Sequence, residues 1–173
     1  MAFELSVYTP KILENLESRW LDALAAEGLV CEFHPNFTIA NNHRGFLPIS
    51  VRVRKNSFLN SEKYGEKTLL GGFELDIESG NKSILEIDNT NRIDVCKTFI
   101  VRTAMGRSVI DFRLQCFAAA ALANITGGIL VDHQANSNFI GRKALENAER
   151  EAREYEEFYK ENFLELPLFN GWN

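Results

Sequence analysis

A chain of 173 residues, 45% hydrophobic and 25% charged, is long enough to bury one core without disulfides or metal and too apolar to remain disordered. Its net charge of −5 argues against a sequence-independent nucleic-acid binder, which needs a basic face to displace counterions from phosphates, and suits a basic protein partner. That length is most simply one domain, residues 1–173.

Phe3 to Tyr8 alternates apolar and polar and predicts a first strand with Phe3, Leu5 and Val7 on one face. Thr9 then caps a helix with Pro10 at its first position. Within Lys11 to Glu27, the residues Ile12, Leu13, Leu16, Trp20, Leu21 and Leu24 form one apolar stripe, and Gly28 closes the helix. "LVCEFHPNF" predicts a second strand stopped by Pro35, which has no ladder donor. "TIANNHRGFLP" reads as a loop, and "ISVRVRK" as a strand with Val51 and Val53 facing one way and Arg52 and Arg54 the other. The polar stretch from Asn56 to Leu70 reads as a long connection, a place for a loop-borne interaction surface.

"GGFELDIESGNKSILEIDNTN" predicts a hairpin, with Phe73, Leu75 and Ile77 inward and answered by Leu85 and Ile87. A further strand, Asp94 to Thr103, leads to the least polar long segment, Ser108 to Asp132. There Ser108 and Asp111 suit a helix start, Ala118 to Ala121 allow close approach to a sheet, and Gly127 or Gly128 ends the helix before the strand "ILVD". After the polar loop "HQANSN", a last amphipathic helix is expected from about Phe139 to Asn162. Its stripe is Leu145, Ala148, Ala152, Tyr155 and Tyr159, with Glu146–Arg150, Glu149–Arg153 and Glu156–Lys160 as solvated pairs on the other faces. The apolar tail, 163–173, either packs back on the core or offers Phe169 and Trp172 to a partner. This order makes an α+β fold: one domain with an antiparallel or mixed sheet and about three helices packed on it.

Chemistry-bearing patterns are sparse. The glycine pairs open a strand and end a helix, and neither forms a phosphate loop. The histidines His34, His43 and His133 are isolated, and no cysteine has a second ligand three or four residues away, so neither a metal site nor a cofactor is expected. Cys116 lies in the apolar helix, where burial makes a thiol inert. The odd, scattered cysteines predict a reducing cytoplasm. "MAFELSVYTPK" lacks the form of a signal peptide, and no membrane span is expected because Arg113, Gln115 and Asn124 interrupt the apolar helix.

The carboxylate rows are the physical oddity. Glu74, Asp76 and Glu78 share the hairpin face opposite Phe73, Leu75 and Ile77, and Glu86 and Asp88 lie on the same face of the return strand. A five-residue connection sets Asp76 against Glu86 and Glu74 against Asp88, like charges that destabilise a sheet, whereas a three-residue one pairs Glu78 with Lys82. Either Arg52 and Arg54 neutralise the cluster as a surface lattice, or the patch meets a positive partner. Asp132 at the "DHQ" strand end either satisfies turn donors or joins that interface.

"FAAAALANITGGILVDHQ" resembles a pattern of small bacterial immunity proteins encoded beside polymorphic or contact-dependent growth inhibition toxins. Ala118 to Ala121 match its alanine-rich helix, Thr126 to Gly128 its "TGG" stop, and Val131 to Gln134 its strand end; "GFELDIE" is a looser match, and His133 stands where that pattern places proline. The resemblance implies a non-enzymatic cytoplasmic inhibitor, a monomer or weak homodimer, that binds the toxic domain of its cognate effector, with a basic nuclease as a fitting target. The alternative is a small-ligand-binding or enzymatic α+β domain, with a pocket between sheet and helices near His34, His43 or His133.

Overall fold

The computed structural model describes every residue except 1, 40–41, 56, 62, 81–83, 87–91, 161–164 and 173, and describes 84–86 and 92 as backbone only. The strands are β1 (Phe3–Thr9), β2 (Leu29–Phe33), β3 (Arg44–Val53), β4 (Leu69–Ser79), β5 (Ile84–Glu86), β6 (Arg92–Asp94), β7 (Lys97–Thr103), β8 (Ile129–Asp132) and β9 (Ser137–Ile140); the helices are α1 (Leu16–Ala26), α2 (Val109–Thr126) and α3 (Arg142–Tyr159). Seven strands form one antiparallel sheet in the order β2-β3-β4-β7-β1-β8-β9, and β5 and β6 form a separate ribbon. This is a single α+β domain, its core lying between the helices and the inner face of the sheet, where Val7, Ile49, Leu75 and Val101 are fully buried.

The organising element is α2. Ser108 and Asp111 form a reciprocal capping box, and Gly127 ends the helix in the left-handed region at φ 68°. Ala118 to Ala121 are fully buried, so the helix is enclosed on several sides and not merely along one stripe. Among the described residues it is the helix long and apolar enough to cross a membrane, but 83% of its apolar window is buried inside the domain, as in a core helix.

Polar groups on so buried a helix must find partners inside the protein. The Gln115 amide donates to the Phe3 and Val101 carbonyls, each at 2.8 Å, and accepts from the Thr103 hydroxyl at 2.6 Å, which fastens α2 to β1 and β7. Arg113, fully buried, donates to Glu156 at 2.5 Å, and Glu149 stands 3.6 Å away; Glu156 also accepts from the Ser57 hydroxyl at 2.9 Å. Glu149 and Glu156, expected in solvated pairs along α3, thus reach inward to α2. An arginine buried in an apolar helix recruits whatever carboxylates the facing helix carries.

Several boundaries differ from expectation for identifiable reasons. The helix expected from Thr9 starts at Leu16, after Asn15 in the left-handed region (φ 52°). Thr9 belongs to β1, where its hydroxyl donates to the Lys97 carbonyl, so it caps nothing. The loop expected at "RGFLP" is strand: β3 runs through Pro48, which lies opposite Gly72 on β4 and whose carbonyl accepts from His34 N at 3.3 Å just past the end of β2. "NSNF" contributes an edge strand, β9, and α3 begins only after Gly141.

The largest correction concerns the hairpin. β4 does not pair with the segment that follows it; it lies between β3 and β7, while Ile84–Glu86 pairs with Arg92–Asp94. Asp76 faces Arg44 and Ile100, Glu74 faces Phe46 and Arg102, and Glu86 faces Arg92 across the ribbon. Because the β4–β7 ladder starts only at Glu74, the donors upstream go elsewhere: Gly72 N bonds Asp111 at 3.0 Å, and Leu70 N bonds the Pro167 carbonyl at 2.9 Å. Within the described part of the tail, residues 167–172 lie against β4 and β2. Leu168 bridges Leu69, and the Trp172 indole donates to Glu32 at 2.9 Å. Ser50, between Glu32 and Leu70 in the cross-strand row, is buried there.

Three substitutions test this core. Ala120→Leu overpacks a position with no free space and should cost about 1–3 kcal/mol in chemical denaturation. Glu156→Gln, which leaves the Arg113 charge buried with a weakened partner, should cost about 3 kcal/mol. Glu149→Gln should cost less and gain relative to wild type as pH rises. Burial holds the Glu149 carboxyl above its usual range despite Arg113, so its contribution to folding is present at low pH and fades as pH rises through its folded-state pKa. Denaturation at acidic and neutral pH checks the sign.

Candidate interaction face

The outer face of the sheet turns away from the helices and carries every second residue of β4, β7 and β1. In one cross-strand row, Arg102 on β7 lies between Glu74 on β4 and Glu4 on β1. Its guanidinium reaches Glu4 at 3.7 Å and Glu74 at 3.6 Å and bonds directly to Asp76. Burial opposes the Arg102 charge, but the Asp76 hydrogen bond and the charges of Asp76, Glu4 and Glu74 outweigh it and hold the group above its ordinary pKa. Glu78 extends the row and meets Arg44 at 3.9 Å. The face therefore sets four carboxylates against two guanidiniums.

Of the residues singled out from the sequence, Glu74, Asp76 and Glu78 come together here. Glu86 lies on the separate ribbon, and Asp88 falls outside the described residues. Asp132 sits on the inner face opposite Leu5, buried, with its carboxylate accepting from Gln134 N at 2.9 Å and Ala135 N at 3.0 Å, the turn-forming use of such a residue. Arg52 and Arg54 do not neutralise the carboxylates: Arg52 bonds the Thr68 hydroxyl and Arg54 pairs with Glu66 at 3.6 Å. Arg44 and Arg102 take that place.

Glu4, Arg44, Arg102 and Phe46 of this face were not singled out from the sequence. Glu4 and Arg102 occupy outward positions of alternating strands, a legible signal once β1 and β7 are known to be neighbours. Phe46 lay in a segment read as loop; in β3 it points outward and is 59% exposed. Beside it lies a hollow of about 200 Å³ whose lining includes Phe46 and Met105, the carboxylates of Glu74 and Asp111 and the guanidiniums of Arg102 and Arg107, with Met105 74% exposed. Apolar surface so open, next to charge, is what a protein interface offers as an anchor.

Nucleophilic arrangements are weaker. The Ser6 hydroxyl lies 2.8 Å from His133 Nε2, and Glu4 approaches that same nitrogen at 3.9 Å. A carboxylate there cannot orient the ring from Nδ1 as a relay requires, and Ser6 is buried. Burial pushes the Cys116 thiol up, away from thiolate chemistry. Among the described residues, no group of three or more His, Cys, Asp or Glu side chains is placed to hold a metal ion. No protein-family model matches the chain, and no curated protein matches it.

The backbone beneath Phe46 leaves no room for a methyl group. A Cβ at Gly72 would run into the Leu47 carbonyl oxygen and lie 2.6 Å from the Phe46 ring. Gly72→Ala should therefore displace Phe46 and strain the β3–β4 ladder, costing about 1–3 kcal/mol in thermal or denaturant unfolding.

Proposed function

We propose that this protein is a non-enzymatic immunity protein that binds and neutralises the toxic domain of a cognate effector in the cytoplasm, through the outer sheet face centred on Phe46 and Glu74. The observation that carries this reading is the exposure of Phe46 beside carboxylates in formal excess over their guanidinium partners. An exposed aromatic supplies burial energy, and the surrounding negative potential accelerates encounter with a basic surface such as that of a nuclease. The net charge of −5 acts in the same direction, and the resemblance of the Ala118–Gln134 segment to immunity proteins points to the same class. Glu78 and Asp76 belong to this interface, Asp76 as the residue that positions Arg102. Asp132, turned to the core, does not.

The test is binding of the full chain to the C-terminal domain of the effector encoded beside it. Phe46→Ala and Glu74→Gln alter exposed side chains and should leave the melting temperature unchanged; Phe46→Ala should weaken binding at least tenfold, about 1.4 kcal/mol, and Glu74→Gln should slow association with a smaller loss of affinity. Association should also slow as salt is raised. Wild-type affinity in both variants removes this face from the interface, and a neighbouring gene without such an effector overturns the reading itself.

A further inference from the structure

The tail is fastened at two points near its end. Phe169 N donates to the Thr68 carbonyl at 2.9 Å, and the Trp172 indole donates to Glu32 on β2 at 2.9 Å. The Phe169 and Trp172 rings lie 4.7 Å apart, and Trp172 meets the His34 ring at 5.1 Å. Between these anchors Asn170 and Gly171 are both exposed, and neither makes a hydrogen bond to any described residue. We propose that Asn170 is a site of spontaneous deamidation whose isoaspartate product frees Trp172 from β2. The site does not rest on the toxin-binding reading.

Asn170 and Gly171 form the one asparagine-glycine pair in the sequence. The Gly171 amide nitrogen, after losing its proton to solvent base, attacks Asn170 Cγ. A nitrogen–carbon bond closes a succinimide ring, the Cγ–Nδ2 bond breaks, and the side-chain nitrogen leaves as ammonia. Water then opens the ring at either carbonyl, leaving aspartate or isoaspartate at position 170. No electrons are transferred, and water is the co-reactant. Glycine has no Cβ to hinder the approach of its own nitrogen. With no partner to give up, the Gly171 N–H is open to base and the Asn170 side chain turns without breaking a bond. Other asparagines are worse placed. Asn60 donates to the Arg54 carbonyl at 2.8 Å and Asn147 accepts from Arg150. Asn36, Asn124 and Asn138 precede Phe37, Ile125 and Phe139, whose side chains crowd the attacking nitrogen.

The two products differ in what they do to the anchors. Aspartate keeps the main chain as it was and adds one exposed charge. Isoaspartate routes the main chain through Cγ, which inserts a methylene between Phe169 and Trp172. Phe169 is held beside β4 by Thr68 and Trp172 on β2 by Glu32, so the span between them is fixed from both ends. A longer link no longer matches that span, and the end with fewer ties gives way. Phe169 follows the Leu168–Leu69 bridge and the Leu70–Pro167 bond, whereas Trp172 has the Glu32 bond and two ring contacts. Trp172 is therefore the residue released, and the state of the tail records the age of the chain.

The test is ageing of the full, isotope-labelled chain in mildly alkaline buffer at physiological temperature, followed by peptide mapping with mass spectrometry and by NMR of the indole N–H signals. Asn170 should convert to acid at least about tenfold faster than any other asparagine, with isoaspartate among the products. As it converts, the Trp172 indole signal should move to the position of a solvent-exposed indole. Trp20, whose indole donates to the Ala118 carbonyl inside the core, is the unmoved internal reference. Asn170→Gln lengthens the side chain, disfavours ring closure and should hold the Trp172 signal in place through the same ageing. Conversion of Asn170 no faster than that of other asparagines, or isoaspartate at position 170 with the Trp172 signal unmoved, overturns the proposal. Both readouts come from the wild-type chain, so they decide the matter whatever the variant does.

Discussion

The rest of the structure depends on one constraint: α2 is enclosed by the sheet and by two other helices, so its polar side chains, apart from the exposed Asn124, cannot be left to water. Unsatisfied buried polar groups cost about 1–3 kcal/mol each, and α2 carries several. Each is committed to a different neighbour. Gln115 binds β1 and β7 through three hydrogen bonds, Arg113 binds α3 through Glu156, and Asp111 accepts from Gly72 N on β4. The alanines let these groups come close enough to bond, because Ala118 to Ala121 hold no other element away. The register of the helix on the sheet is thus set by directional contacts, while the stability of the pairing comes mainly from apolar burial.

That commitment reaches the outer face. Asp111 takes the donor of Gly72, the residue over which the Phe46 ring lies, so the helix cap inside the protein supports the floor of the exposed hollow outside it. The tail completes the same ladder from the other end through Pro167 and Leu70, then passes to Glu32 on β2. What remains open on the outer face is the part that neither α2's loop nor the tail covers.

Legibility in the sequence followed the range of the interactions. The capping box, the Gly127 stop, the β1 alternation and the α1 stripe are local, and each was readable from residues within a turn or two. The partner of β4 was not, because a turn-like "SGNKS" after it suggests the nearest strand, whereas the true neighbours lie about 25 residues away on either side in β3 and β7. The row of Glu74, Asp76 and Glu78 was therefore found without the arginines that balance it. Arg113 was itself an unused clue: a guanidinium among apolar helix residues demands a carboxylate, and Glu149 and Glu156, seven apart on α3, lie on one face of that helix.

Not all of the acidic face is available to a partner. Asp76, directly hydrogen-bonded and mostly buried, has largely exchanged water for Arg102, and a partner's cation that competes for it must break that contact. Glu74 and Glu78 are different: at 60% and 49% side-chain exposure they remain mostly hydrated, and their guanidinium contacts, at 3.6 and 3.9 Å, are loose. Loose, exposed pairs contribute at most about 1 kcal/mol, so these carboxylates govern approach and choice of partner more than final affinity. The affinity has to come from covering Phe46 and Met105, whose apolar surface lies open in the free protein. At about 25 cal/mol per Å² of apolar surface, two such side chains supply several kcal/mol when sealed from water. The division of labour then places the anchor at the Phe46 hollow and the steering charges around it.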